Sequence, residues 1–370
     1  MTQAATIPPA TTPAAAAPAR VAIIGCGLIG AQWDADSPAA DYSLTHAAGF
    51  TKNPGAQLLA CCDHDQARAQ QAAQRWGAPH AYDDPRRLFA AHAIDIAVVA
   101  AASSARWSVI EPALAAGVRV LVIEKPLATT LAESQRLVAA VEAAGVRTLV
   151  NFSRRWDPAM GDLRARIQRG ELGRIQRLVG SYGKGLSNNG SHMIDLVANL
   201  TGAVPLRARS LGSPLEPGEA EWSNGADPAL DVQIEYGPAA GCGGSGADGR
   251  RFQLTMLGSD QRAFTCFELR VTGTLGMAEL SLGGRQVTLT GLRADPQYAG
   301  YTIPDAPQAL PARNLEAMDN MVAEALRLAS GEQRAASCDA RAALTTALAV
   351  AAARRSAERG GAWIALHELD

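Results

Sequence analysis

Three glycines, Gly25, Gly27 and Gly30, directly after the apolar run Val21–Ile24, constrain this chain more than any other feature. Spaced Gly-x-Gly-x-x-Gly, they let a strand turn tightly, let the backbone approach a diphosphate and let the following helix pack close to a sheet. The expected phosphate-contacting loop is therefore Gly25, Gly27, Leu28, Ile29 and Gly30, with the phosphates at the amino end of the next helix.

From Arg20 to Val150 short apolar runs alternate with helical stretches, the signature of βαβ units and a mostly parallel sheet. Strands are expected at Val21–Ile24, Gln57–Cys61, Ile94–Ala100, Val118–Ile123 and Thr148–Asn151, and helices at Asp65–Trp76, Pro85–His92, Val109–Ala116 and Leu131–Ala144. Thr130 with Glu133 three residues on makes a capping box for the last of these. Trp33 to Thr45 reads as an insertion after the glycine loop.

Beyond Asn151 the pattern turns β-rich, with segments at Ile175–Tyr182, Ala229–Tyr236, Arg251–Leu257, Phe264–Val271, Met277–Leu282 and Gln286–Thr290. These suit a large, mostly antiparallel open sheet. Gly237 to Arg250 reads as a flexible hairpin excursion. Two amphipathic helices, Asn314–Ser330 and Asp339–Arg359, close the chain. At 370 residues the chain exceeds the ~250–300 at which single cores split. The expected class is α/β in two domains: a disordered tail over 1–19, a Rossmann domain over 20–150, and a substrate-binding and oligomerisation domain over 151–370 whose terminal helices are free to return to the first.

With 34 Lys+Arg against 36 Asp+Glu the net charge is −2, and no basic stripe offers a phosphate backbone a grip, which argues against nucleic acid. The six cysteines have no metal-ligand spacing with histidine. No bound metal is expected, and the thiols read as reduced and cytoplasmic. No apolar run is long enough to span a bilayer.

Asp63, at the end of the second strand, is placed to accept hydrogen bonds from both hydroxyls of a ribose and to repel a 2′-phosphate, favouring NAD over NADP. The plain alternative is a solvated aspartate starting a turn. Glu124-Lys125-Pro126 follows a buried strand, so Lys125 can reach into the crevice at the carboxyl edge of the sheet, where open α/β folds bind ligands. His192 begins a stretch whose Met193, Leu196, Val197 and Leu200 form an apolar stripe, placing its ring on a rigid helix. Asp195, three residues on, would hold that ring or cap backbone. Separately, Lys125 reads as a surface lysine and His192 as a helix-face histidine. Together with the glycine loop they read as a nicotinamide-dependent oxidoreductase, with a cation for a developing alkoxide and a base for its proton.

Gly25–Gly30, Asp63, Glu124-Lys-Pro126, Asn151-Phe-Ser-Arg-Arg-Trp-Asp-Pro158, Gly190-Ser-His192 and Gly273-Thr-Leu-Gly276 together resemble the glucose-fructose oxidoreductase / inositol dehydrogenase (GFO/IDH/MocA) family over about residues 20–360. The resemblance implies a cis Lys125-Pro126 bond and dimers or tetramers formed through the second sheet. It also implies cofactor contacts from Glu124, Lys125 and Asn151, catalysis by Lys125 and His192, and substrate contacts from Asn188 and Arg155. The expected substrate is a sugar, cyclitol or nucleotide sugar. The family often has aspartate where Asn188 stands, which predicts a weaker base at His192. The family's Thr-Pro-Asn turn is replaced by Ser103-Ser-Ala-Arg-Trp107. A catalytically silent sensor of NAD and sugar is the competing expectation.

Overall fold

The computed structural model describes residues 17–37, 40–213, 227–238, 251–262 and 264–369. The expected tail before residue 17 and most of the hairpin excursion, residues 239–250, lie outside these described residues.

Six strands form the first sheet: β1 Ala19–Ile24, β2 Ala56–Cys62, β3 His80–Tyr82, β4 Ile96–Val99, β5 Val120–Ile123 and β6 Arg147–Val150. All pair parallel in the order β3-β2-β1-β4-β5-β6. Every residue of β4 and β5 is buried, as expected of strands covered by helices on both faces. The order reverses between β1 and β4, which opens a crevice at the strands' carboxyl ends. The connecting helices are α1 His46–Lys52, α2 Gln66–Trp76, α3 Pro85–Ala91, α4 Arg106–Ala115 and α5 Leu131–Ala143. Asp65, Asp84 and Thr130 cap α2, α3 and α5 through side-chain oxygens, and the Thr130–Glu133 capping box is present.

Asn151 leads into the second unit, where α6 Pro158–Gln168 and α7 Ser191–Thr201 lie beside a large sheet. Its strands are β7 Ile175–Tyr182, β8 Val204–Gly212, β9 Asp231–Gly237, β10 Phe252–Gly258, β11 Phe267–Gly273, β12 Gly276–Ser281, β13 Gln286–Ala294, β14 Thr302–Pro304, β15 Gln308–Leu310 and β16 Ile364–Ala365. The order is β14-β13-β12-β11-β7-β10-β9-β8-β16, with β15 beside β13. Only the β7–β10 pair is parallel among the described residues. One face is buried beneath α7: a Cβ at Gly180 would lie 2.3 Å from Met193 Sδ, and Tyr236 donates its hydroxyl to Ile194 O at 3.0 Å.

Helix α8 Ala317–Ser330 packs back on the first sheet, whereas α9 Ala340–Glu358 starts at β6, with Ala340 N donating to Thr148 Oγ1 at 2.8 Å, and runs along β8 of the second sheet, where Ser210 N donates to Ser356 Oγ at 2.9 Å. Arg119 and Arg147 donate to Ala329 O and Leu328 O, both at 2.8 Å, and Val150 N donates to Cys338 O at 2.8 Å. No helix among the described residues is long and apolar enough to cross a membrane.

Several boundaries differ from expectation. Strand β4 starts at Ile96 rather than Ile94, and α4 begins at Arg106 rather than Val109, continuing a short 3₁₀ turn over Ser103–Ala105. The helix expected directly after the glycine loop is only a five-residue turn, Leu28–Gln32, widened so that Trp33 N bonds to Leu28 O at 3.1 Å. The inserted segment follows it, fixed by Asp34, whose carboxylate accepts from Leu44 N, Thr45 N and Thr45 Oγ1 at 2.7, 3.1 and 2.6 Å.

Candidate active site

At the glycine loop, a Cβ on Gly25 (φ +99°) would lie 2.4 Å from Ala101 N, and one on Gly30 would lie 2.0 Å from Gly25 O. Gly27 has nothing within 4 Å of that position. Two glycines are thus required by packing, and the third leaves open space of the kind a diphosphate needs against backbone. Leu28 projects outward and Ile29 is half-buried. Asp63 is buried at the end of β2, and its carboxylate accepts from Cys26 N at 2.8 Å and Asp65 N at 3.0 Å. The aspartate therefore braces the loop itself and sets a negative charge at the sheet edge, a combination that fits NAD.

Glu124 and Asn151, expected to touch the cofactor, meet one another. Asn151 Nδ2 donates to Glu124 Oε1 at 2.6 Å, and the same oxygen lies 2.8 Å from His46 Nε2. Burial opposes ionisation of Glu124, but His46, Asn151 and Lys125 outweigh it and its pKa falls below the ordinary carboxylate value. His46, the first residue of α1, carried no signal in the sequence. Its ring adds a third member to the Glu124–Asn151 pair.

Lys125 enters the crevice past a cis bond to Pro126. Its ammonium donates to Asn188 Oδ1 at 2.6 Å and Asn188 O at 3.3 Å. Burial lowers its pKa; Glu124 opposes this, while Arg106, Lys184 and Arg154 add to it. Asn188 sits on a five-residue helical turn, Leu186–Gly190, whose Ser187 and Asn188 amides both donate to the Asp227 carboxylate at 2.8 Å. Arg354 holds that carboxylate at 2.6 Å. Asp227→Asn, which removes the charge while preserving shape, is expected to lower turnover about 10-fold through loss of charge-assisted hydrogen bonds, with cofactor affinity unchanged. Steady-state kinetics beside a fluorescence titration with NADH checks this.

His192 lies in the first turn of α7, its ring edge-on to Phe152 with centroids 5.5 Å apart, and its Nδ1 is buried without a hydrogen-bond partner. Burial, then the charges of Lys125 and Arg154, push its pKa well below the usual 6.5. The ring is therefore neutral at physiological pH and a weaker base than a free imidazole.

Two expectations need correction. Asp195 neither holds His192 nor caps backbone: it is buried and clamps Arg155, whose Nε and Nη2 donate to it at 2.9 and 2.7 Å. Arg155 Nη1 goes to Ser337 O at 2.6 Å. The arginine expected at the substrate is thus engaged in a structural fork–fork pair. Its neighbour Arg154 points the other way, its guanidinium 3.5 Å over the Phe267 ring.

Beside Asn188 a cavity of about 660 Å³ opens between the loops after β4 and β5 and helix α9, lined by Ser103, Pro126, Phe152, Asn188, Ser191 and Arg354 among others. That size suits a small organic ligand.

Residues 19–152 match the model of an oxidoreductase family with an NAD-binding Rossmann fold. Among curated proteins, a D-apiose dehydrogenase of Paraburkholderia graminis is 31% identical over 172 residues, 46% of this chain and 42% of the relative. A scyllo-inositol 2-dehydrogenase (NAD(+)) of Bacillus subtilis is 32% identical over 156 residues, 42% of each chain. These matches thus span less than half the length of the relatives. Among solved structures, an inositol dehydrogenase homolog of Azotobacter vinelandii complexed with NADH and myo-inositol has a TM-score of 0.71 at 20% identity, covering 95% of this chain and 98% of that one. An NAD-binding oxidoreductase of Klebsiella pneumoniae has a TM-score of 0.72 at 20% identity, covering 94% and 99%. Fold likeness covers about 95% of the chain, and the family-model match covers residues 19–152. Over residues 19–152 the chain is thus similar to the GFO/IDH/MocA oxidoreductases with an NAD-binding Rossmann fold.

Proposed function

We propose that this protein is an NAD-dependent dehydrogenase that oxidises a secondary hydroxyl of a sugar, cyclitol or nucleotide sugar, or reduces the corresponding ketone. One observation carries the reading: an ammonium, a neutral histidine and an amide converge at the carboxyl edge of a dinucleotide-binding sheet. Ionising a free hydroxyl of pKa ~15.7 at pH 7 costs about 12 kcal/mol, so a positioned cation and base are needed. Lys125, with two hydrogen bonds anchored on Asn188, turns a proton toward the substrate oxygen and stabilises its developing charge. His192 takes the hydroxyl proton, and the Asn188 side chain orients a neighbouring hydroxyl. When bound along Gly25–Gly30 and Asp63, NAD supplies the hydride acceptor.

The proposed working form is a cytoplasmic dimer or tetramer. The outward face of the second sheet, where Val179 and Leu257 stand 40% exposed on adjacent strands, supports association of copies there.

Absorbance at 340 nm across polyols, aldoses and UDP-linked sugars, each with NAD⁺ and NADP⁺, tests the reading. It expects NADH from one substrate class and much less NADPH; no reduced cofactor from any member contradicts it.

The pH profile follows from the two lowered pKa values. Oxidation needs His192 neutral and Lys125 charged. kcat/KM, which reports the free enzyme, is therefore expected to be level through pH 6.5, to fall only well below it as His192 protonates, and to fall again below pH 10.5 as Lys125 loses its proton. Arg154→Gln removes a cation that lowers both values, so both limbs should move upward.

A further inference from the structure

Arg154 lies on the turn Ser153–Trp156, where the chain passes from the first sheet to the second unit. Its guanidinium lies 3.5 Å over the Phe267 ring, and Gly284 borders the stack at one side, where a Cβ would come within 3.1 Å of Phe267 Cδ1, 3.2 Å of Arg154 Nη2 and 3.4 Å of Nε. Phe267 opens β11 and Gly284 lies in the β12–β13 turn, so the sheet holds the group rigidly. Among the described residues the Arg154 guanidinium makes no hydrogen bond or ion pair. Asp157, the carboxylate that acts on it, caps α6 through Ala159 N at 2.9 Å.

The surroundings are cationic. Arg154 acts electrostatically on both Lys125 and His192, and Arg106 and Lys184 also act on Lys125. Glu124, the carboxylate that acts most on Lys125 among the described residues, is tied to His46 and Asn151. Arg106 is itself buried with Nε and Nη1 unpartnered. Like charges gathered in a partly desolvated crevice raise the free energy of the empty site, and an anion entering it relieves that repulsion. A planar five-donor fork with its face on an aromatic ring presents its edge donors to a carboxylate or phosphate.

We propose that the substrate carries an anionic group, a carboxylate or a phosphate, which Arg154 binds in this slot while its reacting hydroxyl lies at Lys125 and His192. This names the substrate class for the dehydrogenase reading and rests on it. Burial lowers the Arg154 pKa to about 10, still well above neutral, so the cation persists under working conditions.

The test compares D-glucose, D-glucuronate and D-glucose 6-phosphate in two ways. One is NADH formation from NAD⁺, and the other is calorimetric titration into the protein loaded with NADH, which needs no turnover. An anionic member is expected to be preferred over glucose by about 10- to 100-fold, the range of a charge-assisted bidentate contact. The glucuronate and phosphate arms decide which anion it is. Arg154→Gln should abolish the preference mainly through KM, Arg154→Lys should keep part of it, and raising the salt concentration should weaken it. NADH affinity of the variants, read by fluorescence, confirms that they fold. Equal treatment of neutral and anionic members in both assays, or a preference that survives Arg154→Gln, overturns the proposal; glucose oxidation would then leave the dehydrogenase reading standing. Arg154-dependent anion binding without turnover supports the slot and counts against the dehydrogenase reading.

Discussion

Lys125→Ala is expected to lower kcat by about 10³-fold, the scale seen when a donor to a developing oxyanion is removed, while NADH still binds. The ammonium bonds to Asn188 and not to the glycine loop, so cofactor affinity has no reason to change more than slightly. Asn188 loses a donor but is only partly buried, and water replaces it at a stability cost of about 1 kcal/mol or less. A second signature separates lost catalysis from a disturbed fold. Removing the cation should raise the His192 pKa, since Lys125 helps to depress it, and the acid limb of the residual activity should move toward pH 6.5. Turnover and fluorescence titration on the same preparation, followed by a pH series, measure all three effects.

His192→Asn ranks second, with an expected loss of about 10²- to 10⁴-fold in kcat, the range for removing a general base. Asparagine keeps a polar group of similar reach but cannot take up a proton. The acid limb assigned to His192 should therefore vanish, leaving activity limited on that side by solvent base. KM should change little, because the proton transfer is a transition-state event. A variant that lost activity with the acid limb still in place would show that another group sets the limb and that His192 serves structure.

The parallel half of the fold was legible because buried strands write themselves as unbroken apolar runs, as Val21–Ile24 and Val120–Ile123 do. Short or mixed elements were not. Strand β3 is His-Ala-Tyr, half-buried and three residues long, too brief for any period to register. Helix α1 lies behind the insertion, where the Asp34 carboxylate organises the chain through contacts that no local pattern records. Helix α6 did carry a readable signal in Asp157-Pro158, an N-cap followed by proline at the first helical position. Strand β8 alternates arginines with small residues and has only a weak apolar face.

At the site, residue types were easier to read than residue tasks. Lys125, His192 and Asn188 do converge, yet Glu124 and Asn151 proved to be each other's partners. The choice between Arg154 and Arg155 rests on one residue of phase in a 3₁₀ turn, where consecutive side chains point about 120° apart. Sequence alone does not supply that phase. Asp227 and His46 lie far along the chain from the groups they position, so only folding brings them into view.

Cofactor reduction that depends on Lys125 is the central requirement of the proposed mechanism. The most direct measurement loads the wild-type protein and Lys125→Ala with NAD⁺, mixes each with the best substrate of the panel and follows a single turnover at 340 nm. The account predicts one equivalent of NADH per active site in the wild type and a rate about 10³-fold slower in the variant. NADH formation at equal rates in the two proteins, or none in the wild type with NAD⁺ and ligand both bound, would contradict it.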